Sequence, residues 1–224
     1  NSIFFILIFG FYACTKDTSK TELSVYCNII NEKLYSFSRL SDFEKKKFDQ
    51  LKHSRFHKYE ADFHDAAKKF GVEWELLAAV AFQESQWNPK ARSATQVKGM
   101  MMLTLPTAAS VGVTNRLDPI QSIHGGAQYI ADLKSDANYG TSSGDKIAFI
   151  LAAYNLGITN IRNAINTIGK KPIEVTWLDL EEYLLNLKTS MDSENYSRGQ
   201  QTVDFVERVR DYYYLLLAQD CNDS

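Results

Sequence analysis

The sequence predicts an all-α protein. Three observations carry that expectation. Apolar residues recur at helical spacing along most of the chain, and no stretch alternates polar and apolar residues for long enough to build a sheet. The apolar runs also begin and end at capping residues, notably Asp118-Pro119 at one start and Gly71, Gly112, Gly157 and Gly169 at the stops. With 224 residues, 45% hydrophobic and 23% charged, the chain can bury one sizeable core. Its net charge of −2 argues against nucleic acid as a partner, because tracking phosphates needs a basic surface. The short basic run Lys45-Lys46-Lys47 reads as a solvated helix face.

Taken in order, residues 15–20 form a polar tether. Residues 55–70 read as one amphipathic helix, with Phe56, Tyr59, Phe63, Ala66 and Ala67 on a single stripe. Residues 74–83 are apolar nearly throughout, so that helix belongs in the core. A short helix at 106–111 precedes Gly112. Asp118 is an N-cap followed by proline at the first helical position, opening a helix to about residue 133. A second buried helix covers 143–156. Thr159 is expected to cap another over 160–168, and a last long helix spans about 200–218. Tyr212, Tyr213 and Tyr214 on that helix read as packing. Residues 134–142 and 186–197 read as loops.

One carboxylate stands out. Glu84 ends the apolar helix, a Pro-containing turn follows, and Trp87, Met100, Met101 and Met102 lie close enough in sequence to wall it off from water. Apolar surroundings raise a carboxyl pKa, and the negative end of a helix dipole also disfavours ionisation. An acid protonated near neutral pH can donate its proton to a leaving oxygen, which points to glycosidic bond cleavage. The scattered His53, His57, His64 and His124 show no metal-ligand spacing with the cysteines, and no metal or cofactor is implied.

The ordered set Glu84-Ser85-x-Trp87-Asn88-Pro89, Ser93, Gly99-Met100-Met101-Met102-Leu103-Thr104, Thr107-Ala108 and Ala153-Tyr154-Asn155-x-Gly157 resembles the soluble lytic transglycosylase family over roughly residues 55–215. The Met-Met-Met-Leu-Thr run is nearest the membrane-bound F-type subgroup. The resemblance implies a goose-lysozyme-like helical domain, preceded here by a helical N-terminal extension. It also implies cleavage of the MurNAc–GlcNAc β-1,4 bond of peptidoglycan with a 1,6-anhydro end. Glu84 matches the catalytic acid, Ser93 a serine near the acid and the acetamido group, and Gly99, Met101 and Met102 the segment flanking the cleft. Tyr154 and Asn155 match the pair facing the acid. The six besides Glu84 are therefore expected substrate-binding residues. A muramidase, or a non-catalytic peptidoglycan-binding lipoprotein, is the alternative reading.

The chain also departs from the family pattern. Met102 stands where most relatives carry Gln, Gln96 where Gly is usual, Ala94 where Pro is common, and Gln201 and Phe205 where Glu and Tyr are usual. A non-Gly residue at a position needing positive φ costs on the order of 1 kcal/mol. Only residues 15–54 precede the catalytic region, so the chain reads as a catalytic module at 55–218 on a short tether at 14–54.

The uncharged residues 1–13 have the length of a signal-peptide apolar region and end at Cys14, resembling a lipoprotein signal. With Thr15 after it, a lipidated Cys14 points to the periplasmic face of the outer membrane, with the free periplasm as the alternative. The expected partners are peptidoglycan glycan strands and the membrane through a lipid anchor. Cell-envelope protein partners are not identified by the sequence. An oxidising periplasm permits a bridge between Cys27 and Cys221, with two buried thiols the slightly favoured alternative.

Overall fold

A computed structural model describes residues 24–36, 38–187 and 193–222. The apolar run at 1–13 and Cys14 lie outside the described residues. The helices are α1 (residues 24–36), α2 (Asp42–Ser54), α3 (Glu60–Phe70), α4 (Trp74–Ser85), α5 (Leu105–Ser110), α6 (Pro119–Asp136), α7 (Ser143–Leu156), α8 (Ile158–Ile168), α9 (Trp177–Asn186) and α10 (Ser193–Asn222). Among the described residues the only extended pairing is two isolated bridges, Arg92–Lys98 and Lys98–Leu103. The all-α expectation holds. No helix among them is long and apolar enough to cross a membrane.

The chain forms two compact units. One comprises the described residues up to Ser38 and from Tyr214 onward, within which Cys27 and Cys221 form a disulfide with Cα atoms 5.6 Å apart. The bridge replaces the two buried thiols that the sequence slightly favoured. The other unit, Arg39–Tyr213, contains the site described below.

Two apolar helices make the centre of the larger unit. Every residue from Leu76 to Phe82 in α4 and from Ala148 to Ala153 in α7 is buried. Helix α3 packs on α4 and α6, α6 on α7, and α7 on α8 and α9. Local signals fix the ends. Ser142 and Asp145 form a capping box at the start of α7, and Asp118 accepts from the Gln121 N–H (2.8 Å) at the start of α6.

Helix α10 begins at Ser193, inside the loop expected at 186–197 and ahead of the start expected near residue 200, and three further departures concern residues 55–70, α8 and α9. Residues 55–70 are not one helix. Phe56–Lys58 form a 3-10 turn, because fully buried Phe56 inserts into an aromatic cluster with Phe63, Trp74 and Trp87. Helix α8 starts at Ile158, directly after Gly157 at φ 91°, so Thr159 lies inside it rather than capping it. Helix α9 was not expected, although Thr176 and Asp179 form a capping box ahead of buried Leu180 and Leu184.

Candidate active site

Glu84 sits in the last turn of α4. That turn is held from two sides. Arg208 of α10 donates to Gln83 Oε1 (3.2 Å), Glu44 Oε1 (2.7 Å) and the Tyr212 hydroxyl (2.7 Å). The Ser85 hydroxyl reaches the Met100 carbonyl (2.7 Å) and accepts from the Asn88 N–H (3.1 Å), tying the helix end to the loop that follows.

Directly after α4 the chain reverses through two left-handed residues, Gln86 (φ 53°) and Trp87 (φ 56°). The reversal folds Trp87 back into the core, where its Nε1–H donates to the Ala78 carbonyl (2.9 Å) and its ring meets Phe82 at 4.6 Å. Trp87 is therefore part of the support behind α4, not the wall beside the acid that the sequence suggested.

Residues 91–103 form a flap. Its internal bonds run from Gly99 N–H to Ala91 O (3.0 Å), Ser93 N–H to Val97 O (3.1 Å) and Met102 N–H to Gly99 O (3.2 Å). The Arg116 guanidinium clamps it by donating to the carbonyls of Gln96 (2.9 Å) and Leu103 (2.8 Å). Gln96 adopts φ 65°, the left-handed conformation that the missing glycine would favour. Its side chain is exposed and only its backbone is used. Gln96→Gly is therefore expected to stabilise the fold by about 0.5 kcal/mol, since relieved strain outweighs the added freedom of the unfolded chain. A lowered urea midpoint would contradict this.

Between flap and helices lies a cavity of about 220 Å³, lined by Glu84, Thr95, Val97, Met102, Leu103, Thr104, Thr107, Tyr129, Tyr154 and Asn155. Among the described residues Glu84 is the sole acid on this wall. Burial pushes its carboxyl up to about 8, so it is protonated at neutral pH. Tyr154 is pushed well above its ordinary value, first by burial and then by the nearby Glu84 and Tyr129. Its hydroxyl donates to the Met101 carbonyl (2.8 Å), which leaves only lone pairs to face the cleft.

The expected residues separate into two groups. Glu84, Met102, Tyr154 and Asn155 come together on the cavity wall. Met102 takes φ 46°, a strained conformation at the site itself. Asn155 Oδ1 lies 3.0 Å from the Thr202 hydroxyl, and Thr202 is fully buried. Ser93, Gly99 and Met101 are not on the wall. Ser93 pairs with the Thr95 hydroxyl (2.9 Å) and so bears on the cleft through Thr95. Gly99 is buried and lies against the Arg116 carbonyl. Met101 is fully buried with its side chain against Gly126, where a Cβ would stand 2.6 Å from the Met101 methyl. Its backbone, held by the Ser122 hydroxyl (3.1 Å), supplies the carbonyl that anchors Tyr154.

Sequence reasoning missed Thr95, Thr107 and above all Tyr129, whose ring lies 5.2 Å from that of Tyr154. Nothing local marks Tyr129, which is one aromatic on an amphipathic helix. Among the described residues no group of His, Cys, Asp and Glu side chains is placed to hold a metal ion.

A family model described as the transglycosylase SLT domain matches residues 62–176. The chain is 41% identical over 167 residues to a membrane-bound lytic murein transglycosylase F from Stutzerimonas stutzeri, covering 72% of this chain and 34% of that protein. It is 38% identical over 199 residues to the protein of that name from Shewanella sediminis, covering 85% of this chain and 41% of that protein. The chain thus spans between a third and about two fifths of the curated relatives it matches. Among solved structures, the 70 kDa soluble lytic transglycosylase from Escherichia coli superposes with a TM-score of 0.51 at 21% identity, covering 78% of this chain and 27% of that one, a likeness of fold.

Proposed function

The chain belongs to the transglycosylase SLT domain family, and on that premise we propose that it cleaves the MurNAc–GlcNAc β-1,4 bond of peptidoglycan and leaves 1,6-anhydro-MurNAc ends. The observation that carries this reading is a single cleft acid, Glu84, kept protonated by burial and flanked by Tyr154 and Asn155. Glu84 gives its proton to the glycosidic oxygen as the C1–O bond breaks. The resulting carboxylate then takes the proton from the muramyl O6 hydroxyl as O6 bonds to C1. One carboxyl group thus acts as acid and then as base, and the nucleophile is intramolecular, so no second carboxylate is required to activate water. The Tyr154 lone pairs face the region where positive charge develops at C1.

Inverting or retaining hydrolysis uses two carboxylates about the bond. Glu84 is the only carboxylate on the cavity wall among the described residues, which favours the anhydro route over a muramidase. Mass spectrometry of the released muropeptides tests the reading. Anhydro ends are the expected product, and reducing ends would overturn it. Activity should also depend on pH with a definite sign. Because the donor must be protonated, kcat/KM is expected to fall as pH rises through about 8, and a rise there would contradict the role of Glu84.

In this reading residues 55–218 are the catalytic module, and Cys14 carries the lipid that holds it at the periplasmic face of the outer membrane. The membrane-bound relatives support an envelope location.

A further inference from the structure

Five hydroxyl-bearing residues line the cavity: Thr95, Thr104, Thr107, Tyr129 and Tyr154. Four of them are engaged within the protein. Thr95 pairs with Ser93 (2.9 Å), Thr104 with Thr107 (2.8 Å), and Tyr154 spends its proton on the Met101 carbonyl (2.8 Å). Tyr129 alone of the five has no hydrogen-bond partner among the described residues. A phenol placed in a cavity with nothing to bond is a donor waiting for an acceptor.

The backbone below fixes its position. Tyr129 follows Gly125 and Gly126 on α6, and at both of these a Cβ would collide, with Val113 Cγ2 at 2.4 Å and with the Met101 methyl at 2.6 Å. The helix therefore lies as close beneath the flap as a backbone can and presents Tyr129 on the cleft wall. Burial raises the Tyr129 pKa above its ordinary value, so the hydroxyl keeps its proton across the working pH range. The two tyrosines then offer opposite polarity. Tyr154 turns lone pairs to the cleft, and Tyr129 turns a proton to it.

We propose that Tyr129 is a substrate-binding residue whose hydroxyl donates a hydrogen bond to the acetamido carbonyl oxygen of a 2-acetamido sugar bound against Glu84. Sugar hydroxyls both donate and accept, whereas the amide carbonyl only accepts and is the strongest neutral acceptor on such a ring. A phenol with no hydrogen-bond partner among the described residues complements that group. This rests on the glycan-cleaving reading given above.

The test compares the full chain with Tyr129→Phe on two substrates, intact peptidoglycan strands and the same strands chemically de-N-acetylated. On intact strands the variant is expected to lose about tenfold in kcat/KM, the ordinary worth of one hydrogen bond to a neutral group. The high-pH limb set by Glu84 stays in place. On de-N-acetylated strands the wild type falls by a similar factor, and the variant falls no further than the wild type. Equal losses on both substrates would mean that the hydroxyl reads something else, and full activity on intact strands would mean that it reads nothing. Either result overturns the proposal. A wild-type chain that releases nothing from either substrate refutes the glycan-cleaving reading itself, and that outcome is seen without the variant.

Discussion

Replacing Glu84 with Gln is expected to lower turnover of peptidoglycan by roughly 10³-fold or more, because general acid and general base are lost together. The same substitution should stabilise the fold. Folded Glu84 holds its proton up to about pH 8, whereas the unfolded group releases it near 4.5. Between those values the folded state binds more protons, so wild-type stability declines as pH rises across that window. At about 1.4 kcal/mol per pH unit, the deficit reaches about 3 kcal/mol near pH 7. The neutral amide has no such deficit, so the variant should match the wild type near pH 4 and exceed it increasingly toward pH 8. Urea unfolding at several pH values measures this. A variant that retains activity, or whose stability parallels the wild type across the window, would remove Glu84 from the role given to it.

Gly99→Ala should do the largest structural damage. A Cβ at this position would stand 1.7 Å from the Arg116 carbonyl oxygen and 2.9 Å from the Ser122 hydroxyl, on a residue at φ 85°. Two backbones must separate to admit it. The bonds lost in doing so include Ser122 to Met101, and with it the carbonyl that anchors Tyr154. A loss of about 3 kcal/mol or more is expected, together with a drop in turnover even where the protein remains folded. A cost below about 1 kcal/mol by urea unfolding would show that the flap yields more easily than its packing implies.

These two positions illustrate what a sequence does and does not disclose. Glu84, Tyr154 and Asn155 were legible because each lies in a short contiguous motif at a helix end. Gly99 was legible as important but not for its reason. The glycine answers to Arg116, a neighbour 17 positions away that no local pattern reveals. The methionine run is similar. Three consecutive thioethers look alike in sequence, and the positive φ of Met102 together with the missing side chain of Gly126 decides which one reaches the cleft. Trp87 was misplaced because two successive left-handed residues reverse the chain, and neither is glycine. Helix boundaries followed the caps closely at α6 and α7. They failed at residues 55–59, where the burial of Phe56 overrides helical spacing, and at α9, where a Thr176–Asp179 capping box opens a helix of only 10 residues.

The bond from Tyr154 to the Met101 carbonyl joins a core helix to the flap through a single side chain. Any widening of the groove must stretch that link, and it also lets water reach Glu84. Hydration draws the carboxyl back toward its ordinary acidity, and at neutral pH the proton departs into solvent. On the proposed reading, Glu84 is charged for reaction only while the groove stays closed over it, and an agent that wedges the flap away would disarm it without touching the acid.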